Sequence, residues 1–271
     1  MSLQAYFPQV QPLEAFQWAQ VGWQIDADTV ILTLRNPARR NALSPTLLNE
    51  LAYGLAWAES QPEIRFIRLR AEGEIFCAGA DLQAFGGAMD PASTVPRAAH
   101  PIVLHSFFPM LTRPLIAEVT GDVWAGGLLL ITGATFVVAA KGTRFALPEV
   151  QRGLFPFQVL KALSEFMPSR VALNWCLLGE SYSAEALTRW SLVTHLVETP
   201  QAVFSETDRL IAQLREGAPL AQQRGIAAYH RLAQLSHEDL YQELLQLVQT
   251  EDFQEGLKAF KEKRKPQWKG K

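Results

Sequence analysis

Short apolar runs bounded by turn residues alternate along this chain with longer stretches in which leucines recur every three or four positions. Val30-Ile31-Leu32-Thr33-Leu34, set between Asp28 and Pro37, predicts a strand. Residues 66–70, 115–119 and 135–140 predict three more. Ser44-Pro45 supplies a cap and a first-turn proline for a helix whose Leu47, Leu48, Leu51, Leu55 and Ala58 follow at helical spacing. The run from Gly126 to Gly133 is apolar enough to predict a fully buried helix. From about Pro200 onward the pattern is helical, with Leu240, Leu244, Leu247 and Val248 keeping a 3.6-residue period. Strands alternating with helices, followed by helices alone, predict an α/β fold with a C-terminal helical extension. No Gly/Ser or Pro-rich linker divides the chain. The expected organisation is an N-terminal extension over residues 1–22, a core over 23–200 and a helical region over 201–271. The extension is expected to drape over the core or fray. Gly86-Gly87, Pro91, Pro96 and Pro101 predict a mobile surface loop over residues 85–101.

Composition narrows the function classes. The 271 residues are 48% hydrophobic and 19% charged, an ordinary globular balance. A net charge of −2 gives no electrostatic case for nucleic acid or an anionic membrane. Basic residues gather only in Lys258 to Lys271. Two cysteines, Cys77 and Cys176, lie far apart and without metal-ligand spacing, so neither a disulfide framework nor a metal site is expected. No run reaches the roughly 18 apolar residues of a membrane span. No leader pattern opens the chain, and a cytoplasmic location is expected by elimination.

Two stretches carry candidate chemistry. Ile75-Phe76-Cys77-Ala78-Gly79-Ala80-Asp81-Leu82 and Gly121-Asp122-Val123-Trp124-Ala125-Gly126-Gly127 both place small residues where a strand-like run ends. Backbone N–H groups there can face a ligand without side chains in the way. Two such donors from distant parts of the chain suit an oxygen that becomes negative during reaction, as a thioester carbonyl does in an enolate.

These stretches, with Leu34-Arg35-Asn36-Pro37 and Asn41-Ala42-Leu43 before them, Phe145 to Gly153 after them and Gly256 to Pro266 near the end, resemble the crotonase superfamily, the enoyl-CoA hydratase/isomerase group. The landmarks stand in family order from about Val30 to the C-terminus. The resemblance implies a spiral of ββα repeats, an acyl-CoA thioester as substrate and a homotrimer or a hexamer built as a dimer of trimers. It implies no separate cofactor, because CoA is part of the substrate. On the family motif the oxyanion donors are the N–H groups of Ala78 and Gly126. Hydratases use two glutamates. The position of the first is Leu129 here, which cannot move a proton, and Glu149 keeps the second. Phe157 stands where hydratases carry a small residue. With Leu129 and Phe155 it implies a dry, apolar substrate pocket served by one carboxylate. Arg39, Arg40, Ala80, Asp81, Phe260 and Lys263 match CoA-binding positions, and the spacing of the last two puts them on one helix face. The loop over 85–101 borders the acyl pocket in the family.

A single base, a stabilised enolate and little water favour enoyl-CoA isomerase chemistry, a proton taken from C2 and returned at C4. Alternatives are a hydratase with an atypical site, a decarboxylase using His100 or His105, an enzyme acting on acyl groups held by a carrier protein, and a non-catalytic thioester-binding homologue. Cys77 reads as a buried structural thiol, and Asp81 and residues 120–122 read as turn-formers rather than catalysts.

Overall fold

The computed structural model describes residues 2–84 and 87–271. Gly86, one of the two glycines behind the expected loop, lies outside the described residues. Strands β1 (Val21–Asp26) and β2 (Thr29–Leu34) form an antiparallel hairpin whose turn places Ala27 at a positive φ of 51°. Then the chain repeats one gesture three times. A long strand is followed within a few residues by a short one: β3 (Phe66–Ala71) and β4 (Ile75–Cys77), β5 (Leu115–Val119) and β6 (Asp122–Trp124), β7 (Phe136–Ala140) and β8 (Arg144–Ala146). The long strands lie side by side and parallel in a six-stranded sheet of order β1-β2-β3-β5-β7-β10, closed by β10 (His195–Val197). The short ones pair in parallel in a second sheet of order β4-β6-β8-β9, where β9 (Ser181–Ser183) runs antiparallel. This is the α/β spiral of repeats that the sequence led us to expect.

Helices complete each turn. α1 (Leu3–Tyr6) lies in the N-terminal segment. α2 (Pro45–Ser60) begins as predicted, with the Ser44 side chain accepting from the Leu47 N–H at 3.1 Å. α3 (Leu104–Phe107) packs on α4 (Leu128–Thr132), the buried helix, which a 3-10 turn at Ala125–Gly127 introduces. α5 (Phe157–Leu163), α6 (Ser169–Leu178) and α7 (Ala184–Leu187) follow, and then α8 (Pro200–Arg215), α9 (Pro219–His230), α10 (His237–Val248) and α11 (Glu251–Glu262).

Residues 2–22 take the first of the two courses expected of them and drape over the core rather than fray: Tyr6, Phe7 and Leu13 are buried in the main core, and β1 begins at Val21. The Glu50 carboxylate accepts the N–H groups of Ala19, Gln20 and Val21 at 2.7, 2.8 and 2.8 Å. Residues 90–98 of the loop expected to be mobile are held rather than loose. Asp90 N–H donates to Thr46 Oγ1 at 2.7 Å, and the Asn49 amide spans Pro96 O and Ala98 N–H at 3.0 and 2.8 Å. Finally, a core ending at residue 200 would strip α8 from the sheet it covers. Val203, Leu210 and Ile211 bury against Phe66, Ile116 and Val138, so α8 belongs to the core. Beneath it the fully buried Glu118 accepts from Arg68 Nε and Arg70 Nε at 2.8 Å each, and Arg68 reaches on to Asp208 of α8 at 2.7 Å. By contrast α9 and α10 bury no residue completely, and Leu244 is half exposed.

Candidate active site

The short sheet builds the site. Cys77, Val123 and Phe145 sit in one register row across β4, β6 and β8. Neighbouring parallel strands lie about 4.8 Å apart, so the loops leaving their C-terminal ends begin side by side. Ala80 comes three residues after Cys77, Gly126 three after Val123 and Glu149 four after Phe145. One short sheet thus gathers residues from three separate turns of the spiral.

Pairing decides which N–H groups are open. Leu43 donates to Gly79 O at 2.7 Å and accepts from Asp81 N–H at 3.3 Å, an isolated parallel bridge with Ala80. Because the flanking residues face Leu43, the N–H of Ala80 points the other way, and among the described residues it has no acceptor. The N–H of Ala78 is engaged with Arg40 O at 3.0 Å. The expected donor Ala78 is therefore corrected: the open amide on this loop belongs to Ala80, which the sequence reading had placed at the CoA end of the site. Gly126 holds the second position of the 3-10 turn before α4, where an N–H has no partner inside the helix.

The glycines have distinct reasons. Gly79 has φ +84°, and a Cβ on it would stand 2.5 Å from Ala125 Cβ; one on Gly127 would stand 2.7 Å from Cys77 O. Both let the two loops touch, and tight packing explains them. Gly126 is different. A Cβ there would meet its nearest atom, the Ala80 nitrogen, at an ordinary 3.6 Å. Packing does not require this glycine, and its missing side chain leaves open the space beside two unpaired N–H groups.

Glu149 opens the 3-10 turn Pro148–Arg152 after β8. Its Oε2 is buried without a hydrogen-bond partner. Burial holds its pKa above the ordinary glutamate value, opposed by a hydrogen bond from its own backbone N–H and then by the Arg152 charge. Cys176 of α6 is near enough to feel the carboxylate; burial first and Glu149 second push its thiol up to about 11. Cys77 rises further, to about 12, by burial, which fits a structural thiol. Leu129 is buried one helical turn beyond Gly126.

The remaining expected residues scatter. Phe155 is half-buried against the core. Phe157 is corrected: at the first position of α5 it is 75% exposed, its ring against Phe155 at 4.9 Å, so in the single chain it does not keep the site dry. Asp81 accepts from Arg39 at 2.9 Å and from the Gln83 and Ala84 N–H groups, which makes it a turn-former with its charge balanced. Arg40 lies 5.7 Å over the Trp124 ring. Phe260 is 85% exposed on α11, but Lys263 is the left-handed residue that ends the helix, at φ 52°, so the two do not share a helix face. Within the basic end Arg264 pairs with Glu255 and Glu262, and Lys269 with Glu251. An apolar cavity of about 470 Å3 lies between Phe136, Phe166, Leu192 and α9 and touches none of these residues. Among the described residues no helix is long and apolar enough to cross a membrane.

Comparison with known proteins places this arrangement among relatives. The family model described as enoyl-CoA hydratase/isomerase matches residues 24–271. The chain is 31% identical to mevalonyl-coenzyme A hydratase of Aspergillus fumigatus, over 89% of this chain and 91% of that one. It is 31% identical to (E)-benzylidenesuccinyl-CoA hydratase of Thauera aromatica, over 91% and 98%. The crystal structure of an enoyl-CoA hydratase from Mycobacterium tuberculosis superposes with a TM-score of 0.81 at 28% identity, covering 93% of this chain and 99% of the other.

Proposed function

The chain belongs to the enoyl-CoA hydratase/isomerase family, and within it we propose an enzyme that binds an acyl-CoA thioester with its carbonyl oxygen between the Ala80 and Gly126 N–H groups and moves a proton with Glu149 alone. Enolate charge forming on that oxygen is stabilised by two preset donors, one at a helix N-terminus. Glu149 takes a proton from C2 and, acting again as its conjugate acid, returns it at C4, which shifts a double bond. One observation carries this reading. Glu149 is the carboxylate at these strand ends whose buried oxygen has no partner, while Asp81 is occupied by Arg39 and the neighbouring position on α4 is Leu129. A carboxylate with raised proton affinity suits a group that must both accept and release a proton near neutral pH.

The relatives' names favour a second reading, a hydratase that orients water with Glu149 alone. The two separate in one experiment. Wild type in deuterated water should exchange the C2 protons of a 3-enoyl-CoA and convert it to the 2-enoyl isomer, and Glu149→Gln should abolish both while still binding the thioester. Hydration of crotonyl-CoA at a rate equal to or above isomerisation would refute the isomerase reading.

We also take the assembly to be a homotrimer or hexamer. The uncovered faces of α9 and α10 and the exposed Phe260 support it, with Lys263 and Arg40 at the nucleotide end of the site. A carrier-protein thioester is the alternative ligand. A cytoplasmic location rests on the sequence reading, and the Xenopus laevis relative is named mitochondrial.

A further inference from the structure

Residues 2–20 precede the stretch that the family model matches, which starts at residue 24, yet they are built into the molecule. Leu13 is fully buried, and Phe7 packs edge-on against Tyr53 with ring centroids 5.1 Å apart. Gln11 N–H donates to the Tyr53 hydroxyl at 2.8 Å, and that hydroxyl donates back to Gln11 O at 3.1 Å.

The segment's other edge is tied to residues 90–107. Gln17 N–H donates to Thr94 Oγ1 at 2.8 Å, and Thr94 N–H donates to Gln17 O at 3.0 Å. Ala99 N–H donates to Tyr6 O at 2.9 Å, and the Tyr6 ring meets Phe107 edge-on at 5.2 Å. Residues 90–107 follow the turn that carries Ala80 and end on α3, which packs on the helix below Gly126 and Leu129. They therefore connect the loop of one open donor to the helix that follows the other. α2, which starts just after Leu43 beside both donors, holds them through Thr46 and Asn49, and the N-terminal segment holds them through Gln17 and Tyr6.

We propose that residues 2–20 are a positioning strap which fixes the 90–107 segment as one wall of the acyl site and so sets the preference among acyl groups. The proposal rests on the thioester reading above. A short acyl group needs only the donors, but a longer one must lie along the wall, so loosening the strap penalises long groups selectively.

Thr94 tests this without touching the core, because its side chain is exposed. Thr94→Val removes the acceptor for Gln17 N–H, and Thr94→Ser keeps it. Loss of one neutral hydrogen bond is worth about a fivefold change. Thr94→Val should speed hydrogen exchange of the amides in 90–100 by about that factor, and raise the Kd for decanoyl-CoA similarly relative to acetyl-CoA, with Thr94→Ser restoring both. Unchanged exchange, an unchanged ratio of the two Kd values, or failure of Thr94→Ser to restore them overturns the strap. Wild type that binds neither thioester would instead bring down the thioester reading itself, and the strap's role in selectivity with it.

Discussion

Gly126→Ala separates the packing role of the small residues from their chemical one. The added methyl would meet the Ala80 nitrogen at 3.6 Å, Gly79 Cα at 3.8 Å and Leu43 Cδ1 at 3.9 Å, all ordinary contacts. Gly126 does not need a positive φ, so alanine should be accommodated and folding stability should change by less than about 1 kcal/mol. That same methyl stands within reach of both open N–H groups, where the thioester oxygen must sit to accept from each. Displacing the oxygen from one donor should lower kcat by about 10²- to 10³-fold, a loss of roughly 3–4 kcal/mol of transition-state stabilisation. The assay is isomerisation of a 3-enoyl-CoA at saturation, read beside urea unfolding of the same preparations. Gly127→Ala is the counter-case. Its methyl would press to 2.7 Å on Cys77 O, and it should lose stability as well as activity. A Gly126→Ala protein that is stable and fully active would refute the placement of the oxyanion.

Two further outcomes follow from buried charges. Burial raises the Glu149 pKa in the folded state, so this group favours folding below its unfolded pKa and loses that contribution as pH rises through the folded value. Glu149→Gln should accordingly melt at a higher temperature than wild type at about pH 8, with the difference vanishing below the ordinary glutamate range; a lower melting temperature at pH 8 would contradict the burial argument. Glu118→Ala leaves Arg68 and Arg70 without their shared acceptor beneath α8, and should cost about 3 kcal/mol in urea unfolding, near the low end for a broken buried pair because Arg68 keeps Asp208.

Much of this was legible in the chain. Four of the five longer strands, β2, β3, β5 and β7, and the capped helix at Ser44-Pro45 announce themselves because their apolar patterns persist over five residues or more, whereas β1 carries no such run. The strands that build the site do not. β4, β6 and β8 have three residues each, too few to show a period, and they exist because the long strand before each returns the chain to the same place. The exchange of Ala78 for Ala80 has the same origin. Which amide points outward is set by the bridge to Leu43, far away in sequence, and no local pattern reports it. Phe157 looked like a pocket residue from its place after Pro156, but as the first residue of α5 it points away from the core. The N-terminal segment lacks any period. It is held by long-range hydrogen bonds to Glu50, Tyr53 and Thr94, each invisible until the partner's position is known.

Because the two proposed donors and the proposed proton carrier leave from three different strands, the apparatus that would activate a carbonyl and the group that would decide what happens next occupy independent loops. A lineage can exchange one without renegotiating the other. Leu129 and Glu149 are separately mutable settings on a fixed electrostatic frame, and a single codon at 129 stands between a one-carboxylate and a two-carboxylate site. What restrains that change is the apolar burial of α4, which would have to accommodate a new charge. In this architecture the reaction catalysed is easier to alter than the thioester chemistry beneath it.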